Sequence, residues 1–307
     1  MKSIIYNKPI TKQTVPSISI LRVQCMNYIS YILQNKLRTI GWKCNIIDKI
    51  NYEENPNHYY LFMVITKDIL SVKKYIIYQL EQNVDNKLSI HYQSLYDTNV
   101  LNKIYKNSSL IIDYSEQNIN TMKLFVDYDI KLMNIPATNV ININQNVSTN
   151  TNKMYDIIFI GCLNERRKNI LDKLTKYKIL IANNTYGKDL ELLCSKAKLC
   201  LNIHFYENAI LERVRLNEIM SYGIQIISEK PNINDIEICK SYESIHFIEM
   251  IDTKDININE LCCTIDMKQN NFKQFKHFNN LNILNLIKLE KMFNNDCNKL
   301  FDVNKFI

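Results

Sequence analysis

Short apolar runs alternate with amphipathic stretches along this 307-residue chain. Residues 59–65 (YYLFMVI), 74–80 (KYIIYQL) and 109–113 (SLIID) are predominantly apolar over strand length, the pattern of strands covered on both faces in a parallel sheet. Around them, residues 17–39 carry apolar positions at helical spacing and stop at Gly41, 43–48 reads as a strand, and 95–106 reads as a helix. A further helix is expected from Glu116, capped by Ser115, breaking near Pro136 before a short strand at 139–144.

Residues 146–153 (NVSTNTNK) are polar and aperiodic and read as a linker. The alternation then restarts, with strands expected at 156–161, 178–182, 198–204, 225–228 and 244–251, and helices at 167–177, 190–197 and 210–222. Strand–helix alternation in both halves predicts an α/β protein of two domains, 1–150 and 151–270. A helical tail follows over 271–307, where Phe272, Phe275, Phe278 and Leu281 recur at helical spacing.

Composition excludes more than it selects. Apolar residues at 46% and charged residues at 22% are ordinary for a globular chain. The net charge of +7 is spread without a Lys/Arg block, and a nucleic-acid-binding reading rests on that charge alone. Nine cysteines, an odd number with no CxxC spacing, indicate neither a zinc module nor a disulfide framework. A reducing, cytoplasmic setting is therefore expected. No apolar run approaches membrane-spanning length, so no transmembrane segment is expected. With four glycines in all, the chain contains neither G-x-G-x-x-G nor G-x-x-x-x-G-K-S/T.

Open parallel sheets bind ligands beyond the carboxyl ends of their strands, and that rule selects the candidate residues. In the second half, Gly161 ends a strand and is followed by Asn164, Arg166 and Arg167, a turn able to cradle phosphate through backbone donors and guanidinium groups. His204 lies at another strand end, placed to act as a base or a donor. Glu212, Arg215 and Glu218 recur every three residues, about 60° apart around a helix axis. They form a ladder of weak ion pairs or, at Glu218, a bidentate acceptor for ribose hydroxyls. In the first half the rule selects Glu81 and Asp113, on the opposite wall, where either carboxylate could activate an acceptor hydroxyl. Asp127-Tyr128-Asp129 has the spacing of an acidic metal motif, but such spacings are common by chance and no metal site is assigned.

Taken together, YDIIFIGCLNERRKNILDKL (155–174) and LCLNIHFYENAILERVRLNEIMSYGIQIISE (199–229) resemble the donor domain of GT-B glycosyltransferases of the group-1-like set. Residues 218–228 are similar to that family's Glu-Ala-Met-x-x-Gly-x-Pro-Val-Ile segment, and YIIYQLEQ and LIIDYSEQNI look like first-domain segments of related chains. The resemblance implies two Rossmann-like domains facing a cleft. It also implies a nucleotide-sugar co-substrate, a ribose-binding role for Glu218, and sugar transfer to an unidentified acceptor without a required cofactor or metal. Closure of the two domains would exclude water. The match departs from the family at two positions. Ile210 stands eight residues before Glu218, where retaining members often carry a second Glu, and Gln225 replaces the Pro. Ile210 keeps a second reading open, a catalytically silent GT-B-like binding or assembly protein.

Overall fold

The computed structural model describes residues 15–51, 58–83, 98–125, 128–133, 153–242, 244–249 and 258–270. The expected strand at 139–144, nearly all of the linker, the tail over 271–307 and Asp127 of the acidic triplet lie outside these residues.

Among the described residues, the first sheet has six parallel strands in the order β2-β1-β3-β4-β5-β6. They are β1 (Ser17–Leu21), β2 (Lys43–Ile47), β3 (His58–Phe62), β4 (Tyr75–Gln79), β5 (Leu110–Asp113) and β6 (Ile130–Leu132). Every residue of β3 and β4 is buried, in keeping with their largely apolar character, and the polar His58 and Gln79 at their ends are buried too. Helix α1 (Asn27–Thr39) packs on one face and α2 (Thr98–Asn107) on the other. Gly41, at φ +92°, ends α1 in the left-handed region, and Trp42 N–H donates to the Leu37 carbonyl at 3.0 Å. Helix α3 (Glu116–Met122) starts at Ser115, whose hydroxyl accepts from Asn118 N–H.

Two expectations fail here. Residues 17–21 form a central strand, because Ile18 and Ile20 pair with both β2 and β3 and are fully enclosed; the helix begins only at Asn27. Likewise α3 stops at Met122, and Ile130 turns inward to pair with Ile111 as the edge strand β6.

Among the described residues, the second sheet has five parallel strands in the order β11-β10-β9-β7-β8. They are β7 (Tyr155–Ile160), β8 (Ile179–Ala182), β9 (Ala197–Asn202), β10 (Gln225–Glu229) and β11 (Ile245–Ile248). Its helices are α4 (Glu165–Leu171), α5 (Gly187–Ser195), α6 (Arg213–Ser221), α7 (Ile236–Cys239) and α8 (Ile258–Asn270). One buried cluster lies on each face of this sheet, built from alternate residues of β7 such as Ile158 and Ile157. Helix α4 starts two residues earlier than expected and ends at Leu171. Helix α6 starts three residues later than expected: residues 210–212 are non-helical, and Arg213 N–H donates to the Leu211 carbonyl at 2.7 Å.

In both sheets the first strand lies between the second and the third, so the order in which strands are added reverses at β1/β3 and at β7/β9. Ligand crevices open at such switch points. The residues just beyond β7 and β9 are Gly161–Arg167 and Ile203–Phe205.

Candidate active site

Gly161 adopts φ +127° at the end of β7, a conformation that a side chain would strain. A Cβ there would lie 3.4 Å from Arg167 Nη1 and 3.6 Å from Arg215 Nη2. Two guanidinium groups therefore converge on the bare backbone of one turn. Asn164 caps α4 by accepting from Arg167 N–H at 2.9 Å, and its amide donates to the Phe205 carbonyl at 2.8 Å, tying the β7 turn to the β9 turn.

The two arginines expected to meet phosphate lie beneath the surface. Arg166 donates to the His204 carbonyl at 2.9 Å and holds both carboxylate oxygens of Glu229, the buried last residue of β10. Arg167 is 1% exposed; it donates to the carbonyls of Ile203 and Cys162 and sits between the rings of Phe159 and Phe205. Burial and the neighbouring Arg215 lower its pKa to about 10, which leaves it charged at neutral pH. Arg215, with 28% of its side chain exposed, is the cation of this group that reaches the cleft.

Glu212 organises the cluster. It accepts from Arg215 at 2.8 Å, faces His204 Nδ1 at 3.4 Å and lies 3.6 Å from Arg167 Nη2. Burial alone would raise its carboxyl, but Arg215, His204 and Arg167 outweigh burial and hold it down at about 2. His204 is fully buried, with its Nε2 3.0 Å from the Glu229 carbonyl and its backbone N–H donating to the Glu229 carboxylate at 2.9 Å. Both ring nitrogens thus face protein oxygens.

Of the two ion pairs expected along the ladder, Glu212–Arg215 forms and Arg215–Glu218 does not. Glu218, half-buried one turn further along α6, accepts from Tyr222 Oη at 2.8 Å. Burial raises its carboxyl to about 7, against the lowering influence of Tyr222 and Arg215. The field of Glu218 reaches Tyr186 and Cys25, and Cys25 also feels Glu81 and Cys162. Arg213, at the start of α6, donates to the carbonyl of Tyr114, just beyond β5, at 3.4 Å, so the carboxyl ends of the two sheets face each other. Glu81 is half-buried on the first-sheet side. Asp113 is fully buried: its Oδ1 accepts from Ser115 N–H at 2.8 Å and from Asn118 Nδ2 at 3.2 Å. The same Asn118 amide donates to the Glu81 carbonyl at 2.9 Å, so Asp113 and Glu81 are linked through one side chain.

The structure therefore brings Gly161, Asn164, Arg166, Arg167, His204, Glu212 and Arg215 into one cluster. Glu218 lies at its edge, and Glu81 and Asp113 stand across the cleft. The i,i+4 spacing of Glu218 and Tyr222 brings their side chains together on α6. Tyr186 lies in the turn at 183–187, beyond β8, which the strand-end rule selects, whereas Cys25 carried no pattern that marked it. Among the described residues, no group of three or more His, Cys, Asp or Glu side chains is placed to hold a metal ion. No helix among them is long and apolar enough to cross a membrane.

Two parallel Rossmann-like sheets with opposed carboxyl ends define a GT-B-like architecture. The chain matches AviGT4, a glycosyltransferase involved in avilamycin A biosynthesis, with a TM-score of 0.53 over 93% of this chain and 98% of that one, at 9% identity. An α1,3-fucosyltransferase aligns over 92% of the chain and 84% of its own length, with a TM-score of 0.40 and 11% identity. In sequence the chain is similar to three Acanthamoeba polyphaga mimivirus proteins, L137, L138 and L140, each described only as uncharacterized. Identities are 25%, 26% and 26%, over 73%, 66% and 69% of this chain. The matched regions span 30% of L137, 22% of L138 and 68% of L140, so the chain covers under a third of the first two. No family model matches the chain.

Proposed function

We propose that this protein is a glycosyltransferase that moves a sugar from a nucleotide-activated donor to an acceptor bound over the first domain. The observation that carries the proposal is the convergence of Arg167 and Arg215 on the bare Gly161 turn, at the switch point of the second sheet. Arg215 and the backbone at Gly161 would meet the diphosphate. Arg167, Arg166, His204 and Asn164 fix the turn, and Glu212 aims Arg215. Glu218 would accept the ribose hydroxyls, displacing the Tyr222 hydroxyl.

Transfer then requires three events. The acceptor hydroxyl oxygen bonds to the anomeric carbon, the bond from that carbon to the diphosphate oxygen breaks, and the hydroxyl proton passes to a base. Glu81 would take that role, with Asp113 steadying its loop through Asn118. The charge left on the departing diphosphate is met by guanidinium rather than by a metal ion, in a fixed site that needs no reorganisation. A reducing compartment suits the exposed free thiols of Cys25 and Cys162.

A donor-panel screen for nucleoside diphosphate release tests the proposal. Release from one donor, lost on Arg215→Ala, is expected; no release from any donor, with or without added acceptors, would sink it. One observation favours the catalytically silent reading, namely that Ile210 is fully buried where retaining enzymes often carry their second acid. Nucleotide binding without turnover would decide for that reading.

A further inference from the structure

The segment leading into α6 is anchored in the core of the other sheet. Ile210 is fully enclosed in the same cluster as Tyr28, Leu61, Tyr114 and Met133, and Val214 packs against that cluster. Arg213, 9% exposed, donates from Nη1 to the Tyr114 carbonyl at 3.4 Å, and its Nη2 lies 3.9 Å from Asp235. Asp235 in turn accepts from Leu211 N–H at 2.9 Å. Nearby, Asn232 N–H donates to the Ala209 carbonyl at 2.9 Å, and its side-chain amide donates to Gln117 Oε1 at 3.0 Å. The corner between β5 and α3 is thus gripped by an apolar plug, a guanidinium and an amide.

We propose that this plug holds the cleft at a fixed aperture, with Ile210 and Arg213 as positioning residues for the donor helix. Domains that swing meet through small, polar, loosely packed faces. Here, opening the cleft would strip Ile210 from an apolar cluster and leave a buried guanidinium without its carbonyl. Arg215 and Glu218 follow Arg213 by two and five residues on the same helix. Their distance from Glu81 is therefore set before any ligand arrives, and binding carries no cost of closing the domains. Closure as a means of excluding water is replaced by a cleft assembled in advance. The inference concerns the fold and holds whether or not the chain transfers sugar.

Small-angle X-ray scattering of the full chain, with and without nucleoside diphosphates and with occupancy followed by calorimetry, reads the aperture. The same radius of gyration is expected in both states, and a ligand-dependent decrease would overturn the proposal. A second arm needs no ligand. Ile210→Ser with Arg213→Gln should raise the radius of gyration. It should also speed hydrogen exchange at residues 114–119 and 209–214 by about tenfold or more, leaving β1 and β9 unchanged. If the double variant does not fold, Arg213→Gln alone gives the exchange reading. Unchanged exchange at the corner would refute the lock. Should no nucleotide bind, the functional reading falls while this second arm still decides the inference.

Discussion

Arg166 and Glu229, 63 residues apart in the chain, form a buried two-point pair that joins the first turn of α4 to the end of β10. Glu229 also accepts from the backbone of His204, so the start of α4 and the ends of β9 and β10 meet on one carboxylate. A buried carboxylate left without its cation is costly. Arg166→Ala should therefore destabilise the protein by ~3–5 kcal/mol, measured by urea unfolding. Arg166→Met with Glu229→Gln should recover much of that loss, because both charges then leave together. A loss under ~1 kcal/mol, the range of surface pairs, would show that the pair does not hold the site.

Glu218 gives the site a pH dependence. Its carboxyl, raised to about 7 by burial, must be ionised to accept two ribose hydroxyls. Nucleotide affinity should rise by about tenfold between pH 6 and pH 8 as the carboxylate forms. The phosphates titrate in the same range, so Glu218→Gln serves as the control, and its profile should be flatter than that of the wild type. Equal slopes in the two proteins would remove Glu218 from the binding site.

Arg215 should discriminate by phosphate content. Arg215→Ala is expected to weaken a nucleoside diphosphate by about 10–100-fold, the worth of a charge-assisted hydrogen bond. The corresponding nucleoside should be left nearly unchanged. Titration calorimetry with both ligands makes the comparison. An equal loss for both would mean that the substitution disturbs α6 rather than a phosphate contact.

Asp113 carries a stability signature. Burial holds its carboxyl well above the ordinary 3.8, against the lowering influence of the Ser115 N–H, Asn118, the Tyr114 N–H and Arg213. The folded state then keeps a proton that the unfolded chain releases, so this group's contribution to stability falls as pH rises above about 4. Asp113→Asn retains the acceptor for Ser115 and Asn118 and removes that penalty. The variant should unfold at higher urea than the wild type at pH 8 and at similar urea at pH 4.5. A variant weaker at both pH values would show that the ionised carboxylate is what the fold uses.

Much of the fold was legible because it is local. Largely apolar runs at β3 and β4, and the strand–helix rhythm after Tyr155, announce parallel sheets without any tertiary information. The misread stretch at 17–21 shows the limit: Ser-Ile-Ser-Ile-Leu fits helical spacing only when merged with the true helix that begins at Asn27. Gly161 could be read as a ligand turn because glycine is scarce and strand ends are predictable. The fates of Arg166 and Arg167 could not, since Glu229, Ile203 and Phe205 reach them only through the sheet. Arg215 was visible as a rung of a helical ladder. Its exposure depends on α6 starting at Arg213, which places Glu212 before the helix and turns it onto the cation.

The central claim is that the cleft beside Gly161 binds a nucleoside diphosphate through Arg215 and Glu218. Titration calorimetry of the full chain against a panel of nucleoside diphosphates, repeated with Arg215→Ala and Glu218→Ala, tests it most directly. One nucleotide should bind at a single site, and each substitution should cost about tenfold or more in affinity while the far-ultraviolet circular dichroism is unchanged. Binding of none of the panel, or wild-type affinity in both well-folded variants, would contradict it.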